Sequence, residues 1–276
     1  MRLLLVRHGE SVDNVAGLYA GSRDSPLTNH GVLQAKRLGA HIANRRAIIG
    51  PLRHIFASNL QRAYQTAEAI ADVCQSQNGD ATSSVALDVI RVEELREKDF
   101  GSSEGKKFRK RENDDDSELH ISMCLRINRF LDHHLSPIID QPAAENAAVV
   151  VVSHGVILNV LLKALLSRYP LKSASSPLMG ERLSSEYLAP WSNTGVLQAS
   201  LEPSSSNASP QLHSAKKVHM KVELTNNVDH LQGLKKTGGG IGSAKFDSKQ
   251  RTMDSFFASA VSEVPVYAAT AEPNSE

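Results

Sequence analysis

The chain has 276 residues, of which 41% are hydrophobic and 22% are charged, so it is long enough for one large globular domain or two small ones. Its 31 Lys and Arg residues nearly balance its 30 Asp and Glu residues, for a formal net charge of +1. This balance argues against a protein that coats DNA or RNA over much of its surface. The longest apolar run, at residues 147–152, is far shorter than the roughly 18 residues that a membrane-spanning helix requires.

The hydrophobic pattern predicts strands that alternate with helices. Residues 3–6 form a continuous apolar run, which is typical of a buried parallel strand. Thr28 is a suitable N-cap for a helix over residues 28–47. This alternation favours an α/β domain with a largely parallel sheet. Further along the chain we predict strands at 54–57, 86–92 and 147–152, helices at 59–75, 118–135 and 156–166, and edge strands at 195–201 and 220–224.

Several segments have the composition of loops. Residues 202–217 are rich in Ser, Pro and Asn and predict a long flexible loop. Residues 106–117 run from basic to acidic; a solvated loop is favoured over a nuclear-import signal. The Gly-rich stretch at 238–242 has the composition of a hinge and lacks the Gly-Lys-Ser/Thr ending of a phosphate-binding loop. We therefore predict one domain over residues 1–232 and a mostly disordered tail over residues 233–276.

The two cysteines, Cys74 and Cys124, lie far apart in apolar, helix-like stretches and lack metal-ligand spacing. Such cysteines are typical of reduced structural thiols in a cytoplasmic or nuclear protein. The apolar run at residues 3–6 is too short for a secretory signal peptide. We therefore expect the protein in the cytoplasm, the nucleus or both.

Charged and polar side chains follow four of the predicted strands. His8 and Arg7 come directly after the first strand, and His154 follows the strand at 147–152. Arg62 and Glu97 come shortly after the strands at 54–57 and 86–92. In parallel α/β sheets, ligands bind outside the carboxyl ends of the strands, so we expect these five side chains to meet at one edge of the sheet.

These residue types suit phosphoryl transfer. Guanidinium groups bind the oxygens of a phosphate dianion and stabilise the charge on the group in transfer. A histidine ring can attack phosphorus and carry the phosphoryl group covalently. A carboxyl group can protonate the leaving oxygen and later activate water. No metal or other cofactor is required if the cationic side chains supply the positive charge.

The order of the motifs extends this interpretation. Residues 7–14 (RHGESVDN), 24–35 (DSPLTNHGVLQA), 58–67 (SNLQRAYQTA) and 95–105 (LREKDFGSSEG) are followed by Ser153-His154-Gly155 and Asn193-Thr194-Gly195. Over residues 1 to about 200 the chain thus resembles the histidine phosphatase superfamily, the phosphoglycerate mutase-like proteins. The resemblance implies a three-layer α/β/α sandwich with a mostly parallel central sheet.

The resemblance also implies a role for each matching residue. His8 would become the phosphohistidine, and Glu97 would be the proton donor. Glu93 and Glu94 are close by, but the spacing to Gly101 favours Glu97. The phosphate pocket would be lined by Arg7, Arg62 and His154 with help from Asn14 and the backbone amide of Gly155, and Ser22 and Arg23 would lie at its entrance, near enough to touch the substrate.

The reaction class is open between hydrolysis and transfer. The mutases of this family carry a sizeable insertion that covers the substrate after the catalytic Glu, whereas only 57 positions separate Glu97 from His154. A mutase must keep its phosphohistidine away from water, and an open pocket favours hydrolysis. We therefore favour a phosphoric monoester hydrolase of the histidine acid phosphatase type, acting on a small phosphorylated substrate, with a phosphoglycerate-type mutase as the alternative.

The tail carries a second motif, at residues 250–257. Gln250, Met253, Phe256 and Phe257 fit the pattern Gln-x-x-aliphatic-x-x-aromatic-aromatic. This resembles the PIP box, the peptide through which proteins bind the sliding clamp PCNA. One helical turn would place the Met and both Phe side chains on one side as an apolar plug, with the Gln reaching a separate polar pocket.

Other interpretations of this tail remain open. The segment could be an amphipathic turn that docks on its own domain, or it could have no partner. A Phe-Phe pair is unusual in a polar disordered segment unless something buries it, which favours the clamp. The clamp would bring the protein to DNA without direct contact between the two. The chain could also be a clamp-binding adaptor with an incidental phosphatase domain, although an adaptor could lose any of the five site residues and all five are present.

Overall fold

The computed structural model describes residues 1–76, 87–108, 116–140, 146–171, 191–203, 218–236 and 241–247, and these contain one six-stranded sheet. Its strands are β1 (Arg2–Arg7), β2 (Leu52–Ser58), β3 (Val89–Val92), β4 (Ala148–Ser153), β5 (Val196–Pro203) and β6 (Val218–Asn227).

The sheet has the order β3-β2-β4-β1-β5-β6. The strands from β3 to β1 are mutually parallel, whereas β5 runs antiparallel to β1, and β6 runs antiparallel to β5. The predicted, mostly parallel sheet is therefore confirmed.

Seven α-helices accompany the sheet in the described residues. Thr28 caps the first turn of α2, as predicted. Its side chain accepts a hydrogen bond from the Gly31 backbone N–H. No helix among these residues is both long enough and apolar enough to pass through a membrane. The helices are α1 (Val12–Ala16), α2 (Asn29–Asn44), α3 (Arg46–Ile49), α4 (Gln61–Ser76), α5 (His120–Phe130), α6 (Ser136–Ile139) and α7 (Gly155–Arg168).

The central strand β1 is apolar at every position from Leu3 to Val6 because both of its faces are covered. Leu3 and Leu5 belong to one buried cluster with side chains of α5 and α7. Leu4 and Val6 belong to another cluster with side chains of α2 and α4. Alternate residues of a strand point to opposite faces, so this run separates two helical layers. The predicted three-layer α/β/α sandwich is confirmed.

The structure differs from the elements predicted from the sequence in several places. Residues 195–201 are predicted to form an edge strand, but β5 lies inside the sheet between β1 and β6, and of the two strands predicted for the edges only β6 stands at one. The helix predicted over 118–135 leaves α-helical geometry in a π-helical turn, Leu131–Leu135. The predicted strand at 86–92 is ordered as β3, although its first position lies outside the described residues.

The parallel register brings the carboxyl ends of four strands to one level. Arg7 at the end of β1 pairs with Ser153 at the end of β4. Ala57 of β2 pairs with Val152, and Ser58 pairs with Val92 of β3. The side chains that follow these strands therefore emerge along one edge of the sheet.

The larger of the two compact units of the chain ends at Phe246. The chain divides into the units Met1–Phe246 and Asp247–Glu276. The backbone N–H of Asn29 donates to the Ala244 oxygen at 3.0 Å, and the N–H of Phe246 donates to the Leu27 oxygen at 3.0 Å. These bonds attach the last described segment to the start of α2. Most of the loop predicted at 202–217 and all of the motif at 250–257 lie outside the described residues.

Two isoleucines on α5 provide a test of the packing. Ile127 is 0% exposed in the core, and Ile121 on the same helix is 62% exposed. We expect Ile127→Ala to lower the free energy of unfolding by about 2–5 kcal/mol because it removes buried methyl groups and leaves a cavity. Ile121→Ala is the matched control, and it should change that free energy by less than about 0.5 kcal/mol. Urea denaturation measures both values, and equal losses would contradict this packing.

Candidate active site

The imidazole of His8 is buried directly after β1. Its Nδ1 lies 2.7 Å from the Gly9 backbone oxygen, which accepts hydrogen bonds only, so Nδ1 carries the proton and Nε2 keeps its lone pair. Burial holds the pKa of His8 well below its ordinary value, and the positive charges of Arg62 and Arg7 lower it further. His8 is therefore a neutral ring with a free basic nitrogen at neutral pH.

A second imidazole, that of His154, faces His8. The two ring centroids are 5.0 Å apart, and the ring planes are inclined by 59°. Burial, followed by the positive charge of Arg62, also holds the pKa of His154 well below its ordinary value. Neither ring nitrogen of His154 has a hydrogen-bond partner among the described residues. Because an unsatisfied buried polar group costs about 1–3 kcal/mol, this arrangement suits a polar ligand beside the His154 ring.

Arg62 brings a positive charge to the same place from the first turn of α4. Its Nη1 donates to the Arg23 oxygen at 2.6 Å, and its Nη2 donates to the Gly21 oxygen at 2.7 Å. Burial lowers the pKa of Arg62 to about 10, and the negative charge of Glu97 opposes the shift. The guanidinium therefore remains charged at neutral pH. Its buried Nε has no partner among the described residues.

Arg7 supplies the second guanidinium, from the last position of β1. Its Nη1 donates to the Trp191 backbone oxygen, and its Nε is buried without a partner in the part of the chain that the structure describes. Burial lowers the pKa of Arg7, whereas the charge of Glu97 raises it. The structure thus brings together Arg7, Arg62, His8 and His154. The negative charge of the Glu97 carboxylate acts on both arginines.

The Glu97 carboxylate is fixed at the N-terminus of α7. Its Oε2 accepts a hydrogen bond from the Val156 N–H at 3.2 Å, and its Oε1 accepts from the Ile157 N–H at 3.1 Å and the Lys98 N–H at 3.0 Å. The first N–H groups of a helix have no partner within the helix and carry partial positive charge, so they favour a carboxylate there. Glu93, by contrast, is exposed and pairs with Arg96 at 3.1 Å.

Gly155 begins the same helix, next to His154. A Cβ built at Gly155 would have no heavy atom within 4 Å, so this residue borders open space. A backbone amide beside open space at a helix N-terminus can approach an anion closely.

Asn14 is joined through Asn193 to the backbone of His8. Its Oδ1 accepts a hydrogen bond from the Asn193 side chain at 3.0 Å. The same Asn193 amide donates to the His8 backbone oxygen at 3.1 Å. Asn14 and Asn193 therefore join α1 to the loop before β5 directly beneath His8.

The other two predicted entrance residues are engaged with acidic side chains. The backbone N–H and the hydroxyl of Ser22 donate to the two carboxylate oxygens of Glu104, at 2.6 and 3.0 Å. Arg23 is half exposed, and its Nε lies 3.8 Å from an Asp13 oxygen. In this arrangement Glu104 occupies the donors of Ser22, so Arg23 is the freer of the two at the entrance.

Sequence analysis did not single out His230. Thr194 donates its backbone N–H to the oxygens of Arg7 and His8, at 3.0 and 3.2 Å, and has the left-handed φ of 55° that side chains other than glycine rarely adopt. Its hydroxyl lies 2.9 Å from Nε2 of His230, which is also buried. His230 thus supports the turn that holds His8, yet nothing in its spacing or local sequence indicates this contact.

The described ranges contain no cluster of three or more His, Cys, Asp or Glu side chains arranged to hold a metal ion. The positive charges beside His8 and His154 are those of Arg7 and Arg62.

Comparisons with known proteins identify the family of this chain. Residues 3–184 match the family described as the histidine phosphatase superfamily (branch 1). A protein of Schizosaccharomyces pombe named as a probable phosphatase is 31% identical over 263 residues, which cover 92% of this chain and 78% of that protein. The probable phosphoglycerate mutase GpmB of Erwinia tasmaniensis is 34% identical over 179 residues, which cover 60% of this chain and 75% of GpmB.

Solved structures share the fold. A mycobacterial glucosyl-3-phosphoglycerate phosphatase, in a complex with VO3, superposes with a TM-score of 0.58. The match covers 82% of this chain and 98% of that one at 21% sequence identity.

The buried His230 predicts a specific loss of stability in acid. Burial and the neighbouring His41 lower its pKa from 6.5 to about 4 in the folded chain. The unfolded chain therefore binds a proton as the pH falls through about 6.5, whereas the folded chain does not until about 4. We expect the stability advantage of the wild type over His230→Gln to shrink by up to about 3 kcal/mol between pH 7.5 and 4.

Denaturant unfolding across this pH range measures that difference. His133→Gln, which changes an exposed histidine, is the control for the general effect of losing an imidazole. A difference between wild type and His230→Gln that stays constant with pH would contradict the assignment.

Proposed function

This chain belongs to the histidine phosphatase superfamily, and from that premise we propose that it hydrolyses phosphomonoesters through a phosphohistidine on His8. The observation that carries the proposal is the set of buried nitrogens around His8 that lack partners among the described residues: Nε of Arg7, Nε of Arg62 and both ring nitrogens of His154. A phosphate dianion supplies hydrogen-bond acceptors for the two Nε–H groups and for the ring nitrogen of His154 that carries its proton, and it supplies negative charge for the two guanidiniums.

The proposed first step transfers the phosphoryl group to the enzyme. The guanidiniums of Arg7 and Arg62 hold the phosphate oxygens, and Nε2 of His8 attacks phosphorus with its lone pair. The bond from phosphorus to the ester oxygen breaks as the new P–N bond forms. Glu97 in its protonated form gives its proton to the departing oxygen, so the alcohol leaves neutral.

The second step reverses the roles. The Glu97 carboxylate takes a proton from a water molecule as that water attacks the phosphohistidine. The P–N bond breaks, the electron pair returns to Nε2 of His8, and inorganic phosphate leaves. His154 remains beside the transferred group throughout and can donate a hydrogen bond to its oxygens.

Hydrolysis is favoured over transfer to a second substrate by two observations. The relative named as a probable phosphatase aligns with 92% of the chain, whereas the mutase relative aligns with 60%. His154 follows Glu97 by only 57 positions, which leaves little chain for a cover over the substrate. A phosphoglycerate-type mutase is the alternative, and it would require a bisphosphorylated sugar acid to phosphorylate His8.

The nucleophile can be tested with a generic monoester. We expect the protein to release inorganic phosphate from p-nitrophenyl phosphate in the presence of a chelator, because its own cations hold the phosphate. His8→Ala should lower kcat/KM by at least about a thousandfold. His133→Ala changes an exposed histidine outside the site and should leave kcat/KM unchanged.

The same assay distinguishes the alternatives. Full activity of His8→Ala would rule out the phosphohistidine mechanism. Loss of activity with chelator that a divalent metal restores would show that the side chains alone do not suffice. Exchange of phosphate between 2- and 3-phosphoglycerate with little release of inorganic phosphate would identify a mutase.

We also propose that the tail recruits the enzyme to the sliding clamp PCNA, in the nucleus as well as the cytoplasm. The motif of Gln250, Met253, Phe256 and Phe257 supports this by its sequence alone, since these residues lie outside the described part of the chain. Its basic neighbours Lys245, Lys249 and Arg251 suit an acidic partner surface. Catalytic activity in the assay above would argue against a clamp adaptor with an inactive domain.

Clamp binding can be measured with the full-length chain and purified PCNA. We expect the wild type to bind, and the double substitution Phe256→Ala with Phe257→Ala to weaken binding by at least about thirtyfold, because aromatic anchors dominate such interfaces. Phe246→Ala, outside the motif, is the matched control. The recruitment hypothesis fails if the wild type shows no affinity at high micromolar concentration.

A further inference from the structure

Arg126 is a buried charged residue that none of the steps above uses. It lies on α5, and only 5% of it is exposed. Its neighbours on that face, Met123, Ile127 and Phe130, belong to the hydrophobic core. Because a buried charge is costly unless it is paired and hydrogen-bonded, its contacts indicate its purpose.

The guanidinium of Arg126 holds the backbone that carries Glu97. Its Nη1 donates to the oxygens of Glu94 and Arg96, each at 2.6 Å. Its Nη2 donates to the Glu97 oxygen at 3.3 Å. Three carbonyl oxygens within four consecutive residues thus turn inward toward one side chain. Without that side chain they would be buried acceptors that lack a strong donor.

A buried carboxylate neutralises and orients Arg126. Glu118 accepts its Nε–H at 2.8 Å and its Nη2–H at 2.9 Å, a two-pronged pairing of planar groups. Burial acts to raise the pKa of Glu118, but the hydrogen bonds and charge of Arg126 outweigh it and lower that pKa. The backbone N–H of Glu118 also donates to the Asp99 oxygen at 2.8 Å. Arg126 and Glu118 therefore hold the backbone on both sides of Glu97.

The remaining carbonyl of this segment is held by the sheet. The hydroxyl of Ser153, the last residue of β4, donates to the Leu95 oxygen at 2.6 Å. All four carbonyls from residue 94 to residue 97 are thereby fixed by two side chains. The Glu97 carboxyl group is fixed separately by the amides of α7.

We propose that Arg126 is a positioning residue for Glu97, which sets where the proton donor meets the leaving oxygen. This inference rests on the proposed function of Glu97. A displacement of about 1 Å in a reacting group can lower a rate about a hundredfold, so the backbone of an acid needs this restraint. Arg offers five N–H groups in a rigid plane, and Lys at the same position would reach fewer of the three carbonyls.

A comparison of two esters separates positioning of the acid from general support of the fold. The p-nitrophenolate ion departs readily without a proton, whereas the alkoxide of glycerol 2-phosphate requires one. The parameter kcat/KM reports the step in which the ester bond breaks. Loss of a well-placed acid should therefore lower kcat/KM for the glycerol ester more than for the aryl ester.

We expect Arg126→Gln to lower kcat/KM for glycerol 2-phosphate about ten- to a hundredfold more than for p-nitrophenyl phosphate, within the range that general acid catalysis contributes. Glu97→Gln should show the same bias with a larger loss. Arg126→Lys should fall between wild type and Arg126→Gln. Arg129→Gln, an exposed arginine on the same helix, is the matched control and should alter neither substrate.

Equal losses for both esters, or no loss, would overturn the positioning role of Arg126. If Arg126→Gln does not fold, Ser153→Ala and Glu118→Gln remove other parts of the same restraint, and absence of the bias in both overturns it equally. If Glu97→Gln shows no bias while His8→Ala is inactive, the acid assignment fails and the inference fails with it. A wild type that cleaves neither ester refutes the proposed function itself.

Discussion

Burial of two guanidinium groups beside two imidazoles is the constraint on which the site depends. Arg62 is buried and Arg7 is largely buried, and carbonyl oxygens of Gly21, Arg23 and Trp191 satisfy only part of their hydrogen-bonding capacity. The two guanidiniums still lack hydrogen-bond acceptors for their Nε–H groups among the described residues. The fold orients these donors before any ligand arrives, so in the proposed reaction the phosphoryl group meets donors that are already in place.

The protonation state of His8 follows from the same constraint. Burial and two nearby positive charges keep His8 and His154 neutral, and the Gly9 oxygen decides which nitrogen of His8 holds the proton. In the proposed mechanism, the lone pair of this neutral ring attacks phosphorus. A bound dianion would place negative charge beside His154, and by the same electrostatic rule this would favour its protonated form.

The sequence predicts the parts of this arrangement that are local. The run from Leu3 to Val6 gives a strand covered on both faces, and the residues after the strand ends give the five groups at the sheet edge. Contacts between distant segments leave no such pattern. The inclusion of β5 within the sheet, the attachment of Phe246 near Leu27 and the support of Thr194 by His230 depend on residues that sit far apart in the chain. The sequence does carry one signal for Arg126. It is a charged residue at a position where the helical repeat of α5 predicts a core side chain.

That charged residue bears on why a core would contain an ion pair at all. A buried pair such as Arg126 and Glu118 gains little net stability, because the attraction of the charges barely offsets the loss of their hydration. Apolar side chains of the same volume would fill the space as well, but they could not donate to the inward carbonyls of Glu94, Arg96 and Glu97. The pair therefore fixes the positions of these carbonyls, which apolar packing alone would not do. The backbone of the proton donor is fixed by side chains from α5 and β4, while its carboxyl group is fixed by the amides of α7, so the acid is defined by two independent sets of contacts.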